Sequence, residues 1–187
     1  MQRRSLLPDP GRYQQLAARA GGVVRQIAEC RERNGHVIST VEPVIVSATS
    51  QFASTRHEQN RIDVHTGWSA PLSASGPGAG GVPTANALIC DLLAAKSSAT
   101  RSSNGARTRE DDDSHDWLIE ILGSPADLHQ FAQPCDIVRT DATASWSWTI
   151  CRQFPRARID AVIEALSARG GAPVAARLDD DVAEACR

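Results

Sequence analysis

From Lys96 to Asp116 the chain reads "KSSATRSSNGARTREDDDSHD", about twenty positions without a single valine, leucine or isoleucine. A stretch so poor in apolar side chains cannot recover the entropy of ordering itself, and its serines, glycine and triple aspartate mark a solvated linker. Its charges change sign within a few residues, the habit of a solvated run rather than of a targeting signal or an acidic tail. Any core must therefore come from two blocks, residues 1–95 and 117–187, on either side of a linker at 96–116.

Both blocks have the material for a core. Of the 187 residues 41% are hydrophobic and 22% charged, the proportions of ordered globular protein. The net charge of -2 supplies no field toward nucleic acid or an anionic membrane, so neither is expected as a partner. The opening "MQRRSLLPDPGRYQQ" is broken by Pro8, Asp9 and Pro10 before any apolar run develops, and no segment approaches a membrane span. Cys30, Cys90, Cys135, Cys151 and Cys186 are odd in number and widely spaced, which argues against a zinc site or a disulfide scaffold. The expectation is a cytoplasmic protein with reduced thiols.

Periodicity supplies the elements. "YQQLAARAGG" carries Tyr13, Leu16, Ala17 and Ala20 at helical spacing before two glycines that can stop a helix. "VVRQIAECRE" and "HVISTVEPVIV" are β-branched runs on either side of Asn34-Gly35, a pair suited to a tight hairpin. "NRIDVHTGWSAPLSAS" predicts a second hairpin turning near Gly67. Beyond the linker, "WLIEIL" and "DIVRT" are extended and "SPADLHQFA" is a short helix. "SWSWTIC" alternates Trp146, Trp148 and Ile150 with Ser147, Thr149 and Cys151, the mark of a half-buried strand. Ile159, Val162, Ile163 and Leu166 define an amphipathic helix ending at Gly170-Gly171, and "APVAARL" is a last strand. Strand, helix, strand, strand, helix, strand is the order of ferredoxin-like folds, shared by small ligand-sensing domains of the ACT type. The fold class expected is thus α+β: a mixed or antiparallel sheet with a glycine-turn helix, followed by an ACT-like βαββαβ domain at 117–187.

The candidate site is "GPGAGGVPTANALICDLL", residues 76–93. Gly76, Gly78, Gly80 and Gly81 allow backbone to approach a ligand closely, and Thr84 is placed to cap a helix whose first N–H groups favour an anion. A plain strand-to-helix turn accounts for the same residues. The segment is neither a Walker loop nor the dinucleotide-binding glycine motif that follows a first strand.

This segment resembles the homoserine dehydrogenases, in which G-x-G-A-G-x-x-P-T-A leads into a helix carrying an aspartate. The resemblance continues upstream through "EPVIVSATSQFASTRHEQNRIDVHTGWSAPLSAS" and spans roughly residues 23–95. It implies a family with an N-terminal Rossmann domain, a substrate and dimerisation sheet, and often a C-terminal ACT domain. It also implies NAD(P)-dependent interconversion of aspartate 4-semialdehyde and homoserine, in threonine and methionine biosynthesis, with the nicotinamide carrying the redox chemistry. By resemblance Gly76, Gly78, Gly80 and Gly81 lie near the cofactor, and Pro83, Thr84 and Ala85 start the supporting helix. The family's opening nucleotide-binding strand and glycine loop, its substrate-binding glutamate and its aspartate and lysine pair have no counterpart here. Lys96, the one lysine, follows the glycine turn and is expected to be an exposed helix-end residue, not the proton donor. The expectation is a truncated enzyme, inactive alone, with no catalytic residue assigned and no metal. The alternative is an oligomerisation module, or one sensing an amino acid through residues 115–187. A homodimer through the sheet is implied by the family.

Other polar groupings carry less. His36, His57, His65, His115 and His129 are scattered, without metal-binding spacing. Arg56, His57, Glu58 and Asn60 are expected to form a polar connection rather than an acid-base cluster, and Asp91 to cap a backbone group or face solvent. "DSHDW" with Cys135 or Cys151 has the residue types of a thiol nucleophile and its base, without evidence of proximity. Trp146 and Trp148 are expected in the core, and "ARLDDDVAEACR" is read as a solvated tail.

Overall fold

The computed structural model describes residues 9–33, 35–96, 114–122, 137–142 and 146–186. They form two compact units, Met1–Ala48 with Arg107–Arg187, and Thr49–Ala106. These differ from boundaries at 95 and 117, because the first hairpin joins the strands that follow the linker.

The first unit begins with α1, Pro10–Arg19. Asp9 caps it, its carboxylate accepting from the Arg12 N–H at 3.2 Å, and Pro10 sits at the first helical position, where no N–H is needed. Strands β1 (Gly22–Arg33) and β2 (His36–Ser47) then pair antiparallel in unbroken register from Gly22↔Ser47 to Arg33↔His36. Gly35, at φ +75, takes the positive-φ position of the turn expected at Asn34-Gly35.

After residue 113 come β5 (Ser114–Leu122), β6 (Ile137–Ala142), β7 (Trp146–Pro155), α3 (Arg156–Ala168), β8 (Val174–Leu178) and α4 (Asp180–Ala185). With β1 and β2 they make a six-stranded sheet, ordered β1-β2-β8-β5-β7-β6. The β2–β8 pairing is parallel, through Val44↔Arg177 and Ile45↔Leu178, and the other pairings are antiparallel, so the sheet is mixed as expected. Strand β7 lies between β5 and β6, the arrangement of a split unit, but that unit is not separate because β2 extends its sheet. The helix expected in "SPADLHQFA" lies outside the described residues.

Helices cover both faces. On one, α1 and α4 bring Tyr13, Leu16, Val182 and Ala183 against Ile45, Leu118, Ile150 and Leu178. On the other, Ile159, Val162 and Leu166 of α3 meet Trp117, Ile119, Ile121, Cys151 and Phe154. This corrects two expectations. Strand β7 is not half-buried: Ser147 and Thr149 are as enclosed as Trp148 and Ile150, since the face they share with Cys151 lies on the α3 side. The C-terminal segment is not a solvated tail: Asp180 and Asp181 occupy the electropositive first turn of α4, and Val182 and Ala183 reach the core.

The second unit holds β3 (Gln59–Thr66), β4 (Ser69–Pro77) and α2 (Gly81–Lys96). The two strands form their own antiparallel hairpin, from Gln59↔Pro77 to Thr66↔Ser69, turning around Gly67 as the sequence suggests. Among the described residues no helix is long and apolar enough to cross a membrane.

Candidate functional site

The glycine turn is built from the end of β4. Gly76 stands opposite Asn60 in the ladder, so its backbone belongs to the hairpin. One residue past the strand, the Gly78 N–H donates to the Glu58 carbonyl at 2.7 Å, and a Cβ at Gly78 would overlap the Asn60 amide. Gly80 then turns the chain at φ +108, a conformation that opposes any Cβ. Helix α2 starts at Gly81, and the Thr84 N–H closes the first helical bond onto the Gly80 carbonyl at 3.1 Å.

Thr84 is therefore not the N-cap. It lies inside a helix that begins three residues earlier, because Pro83 fits a first turn, where no N–H is required, and Gly80 supplies the cap position. The six residues Gly76–Gly81 spell G-x-G-x-x-G between a strand and a helix, yet β4 pairs antiparallel with β3. A parallel βαβ unit, the setting that makes this spacing a nucleotide fingerprint, is not what surrounds it. The four glycines divide by role. Gly80 is demanded by the fold of the turn and Gly78 is crowded by the Asn60 side chain, whereas a Cβ at Gly76 or Gly81 would meet nothing within 4 Å.

The helix that follows exposes its apolar side chains. Val82, Leu88, Ile89, Leu92 and Leu93 are all exposed, as are Ile62, Val64 and Leu72 of the hairpin, and Trp68 at its tip is 98% exposed. That is more exposed apolar surface in one small unit than scattered surface residues supply. Asp91 is exposed as well, like the rest of the helix around it.

The remaining candidates disperse. His57 is exposed at φ +53, and Glu58 contributes its backbone carbonyl, so the "RHEQN" segment is the polar connection expected. Inside the hairpin, Asp63 pairs with Arg61 at 2.9 Å. Slight burial pushes the Asp63 carboxyl up, but hydrogen bonds from Ser73 and Arg61 outweigh it and leave its pKa below the usual value. His115 lies in the other unit, its Nε2 at 3.4 Å from Arg31 Nη2 and 3.5 Å from Arg177 Nη1. Trp148 is in the core, Cys135 and His129 lie outside the described residues, and the Lys96 backbone ends α2. Among the described residues no group of three or more His, Cys, Asp or Glu is placed to hold a metal ion.

Sequence reasoning missed two buried carboxylates. Glu42 is 3% exposed and Glu120 is 2% exposed, each in a strand of the six-stranded sheet. The signal was present, an acidic residue inside an otherwise apolar run in "TVEPVIV" and "WLIEIL". Burial pushes the Glu42 carboxyl up, more than Arg156 and Arg177 beside it pull it down. Burial likewise raises Asp179.

Residues 6–93 match the homoserine dehydrogenase family model. Among solved structures, the homoserine dehydrogenase from Thiobacillus denitrificans superposes with a TM-score of 0.64 at 17% identity, over 89% of this chain and 44% of that one. Homoserine dehydrogenase from S. aureus gives a TM-score of 0.54 at 18% identity in its pH 7.0 structure, over 89% and 44%. Its pH 6.5 structure gives 0.53 at 16%, over 89% and 43%. At such identities the likeness establishes the fold. The chain spans less than half the length of these structures. No curated protein matches it.

Proposed function

We propose that this chain, whose residues 6–93 carry the homoserine dehydrogenase family signature, is the substrate-region and C-terminal portion of such an oxidoreductase. The observation that carries the reading is the joining of a glycine-rich turn to an exposed apolar helix inside the matched segment. A turn of this kind lets a phosphate-bearing cofactor approach backbone directly, and the apolar helix beside it is suited to lie against further protein. The residues present fit an NAD(P) cofactor in part. Open space at Gly76 and Gly81 and the first N–H groups of α2 favour an anion, while the Gly78 N–H is already given to Glu58. When bound, the nicotinamide would supply the hydride chemistry that interconverts aspartate 4-semialdehyde and homoserine. What this chain's own residues would contribute is a surface for the cofactor, at Gly76, Gly78, Gly80 and Gly81, and a cytoplasmic, sheet-paired homodimer. The catalytic acid-base groups are not assigned to it.

Alone, the chain is expected to consume no NADPH with aspartate semialdehyde, because no acid-base pair is assigned among its described residues. Turnover clearly above background by the purified chain would overturn this. A second reading, an amino-acid-sensing module, draws support from the split order of β5 to β8. One set of calorimetric titrations separates the two. Heat on adding NADPH supports the cofactor surface, heat on adding threonine or another amino acid supports the sensor, and silence with both counts against each.

A further inference from the structure

Two buried carboxylates of the sheet are held in the same way from opposite directions. Glu120, on β5, receives Arg12 on Oε1 at 3.3 Å and Arg19 on Oε2 at 2.8 Å, both from α1. The two arginines are seven residues apart and so share one helix face. Arg12 is further fixed by donating to the Ala172 carbonyl at 2.7 Å and by stacking 4.3 Å from the Trp146 ring centroid. Glu42, on β2, receives Arg156 of α3 on Oε2 and Arg177 of β8 on Oε1 at 3.2 Å. Arg177 also reaches Glu29 of β1 at 2.9 Å.

The symmetry lies in the sequence origin of the partners. Glu120 belongs to the residues beyond the family match and its arginines to residues within it; for Glu42 the assignment is reversed. Glu120 points with Leu118 to the α1 side of the sheet, and Glu42 faces α3, so one pair of contacts stands on each face. The backbone junction between the two segments is short by comparison, two parallel register positions between β2 and β8. Burying a carboxylate is costly unless both oxygens find charged partners, and here each oxygen has its own arginine. Neither segment can supply those partners to its own carboxylate in this arrangement.

We propose that Glu42 and Glu120 are reciprocal locks that bind residues 10–47 and 114–186 into one cooperative unit, making the strands beyond the family match an obligate partner of the matched ones. An event on β5 or β8 is then felt on β1 and β2, which gives the C-terminal segment a means of control over the strands inside the family match. The locks set how the two segments seat on each other, a task for which the shared apolar core is less discriminating.

Native-state hydrogen exchange on the full chain tests this. Glu120→Gln keeps the shape of the side chain and removes its charge. It should speed exchange in β1 and β2 by the same factor as in β5 to β8, on the order of tenfold or more. Glu42→Ala, which leaves Arg156 and Arg177 without their shared acceptor, should do the same from the other side. Acceleration confined to the segment that carries the substitution would overturn the proposal, and so would no acceleration anywhere. Were either variant too unstable to measure, Arg19→Lys and Arg177→Lys would give the same two readouts with milder losses.

Discussion

The two units of this chain are written in similar sequence patterns and meet opposite fates. Strand β5 and helix α3 carry apolar residues at strand and helix periods, and Leu118, Ile119, Ile159 and Leu166 are sealed between layers. Strand β3 and helix α2 carry them too, and Ile62, Val64, Leu88 and Leu92 stand in solvent. Periodicity records which face of an element seeks cover. It does not record whether the cover lies within the same unit.

The largest expected effect follows directly. Ile159→Ala, at a wholly buried position of α3, should cost about 2–5 kcal/mol in denaturant unfolding, since the cavity adds to the lost transfer energy. Leu92→Ala, at a position 71% exposed on α2, should stay within about 0.5 kcal/mol. A comparable loss at Leu92 would break the comparison, showing that the α2 face is covered in solution by a second copy or by other protein.

Much of the sheet unit was legible beforehand. Asn34-Gly35, the helical spacing of Tyr13 to Ala20 and that of Ile159 to Leu166 are local signals, and local signals placed β1, β2, α1 and α3. What could not be read was long-range. No feature near residue 44 announces a parallel partner at residue 177, so the sequence does not join the first hairpin to the sheet it extends. The burial of Ser147 and Thr149 depends on α3 lying over them, and small hydroxyl side chains look alike on a wet face and a packed one. In the glycine turn the residue types were informative and the division of labour was not. Only the backbone conformation at Gly80, φ +108, and the Asn60 side chain against Gly78 show how the glycines differ.

That division supports a second, smaller test within the exposed unit. Gly80→Ala forces a Cβ into φ +108 and should cost about 1–2 kcal/mol locally, seen as faster exchange in the first turn of α2. Gly81→Ala has open space and replaces glycine by the best helix former, so it should leave that turn unchanged or slow its exchange, by up to about 1 kcal/mol. Equal effects at the two positions would remove the claim that Gly80 is held by its backbone conformation.

The smallest effect is also the most discriminating between the units, because it differs in sign. Burial holds the Glu42 carboxyl above its ordinary 4.5 despite Arg156 and Arg177, and holds Asp179 above 3.8. A carboxyl raised on folding binds its proton more tightly in the native state, so its contribution is fully present below the ordinary value and is lost as pH rises through the folded one. Asp63 runs the other way: its hydrogen bonds from Ser73 and Arg61 hold it below 3.8, so its contribution is present above that value and is lost as pH falls through the folded one. Acidification from neutral pH should therefore favour the sheet unit through Glu42 before it weakens the β3–β4 hairpin through Asp63. Comparing the chain with Glu42→Gln and Asp63→Asn by residue-resolved exchange isolates each term. Glu42→Gln should flatten the rise in β2 and β8 above pH 4.5, and Asp63→Asn the fall in β3 and β4 below pH 3.8. A common pH profile in both units, unaltered by either substitution, would show that the two environments of these carboxylates do not differ in the way their partners imply.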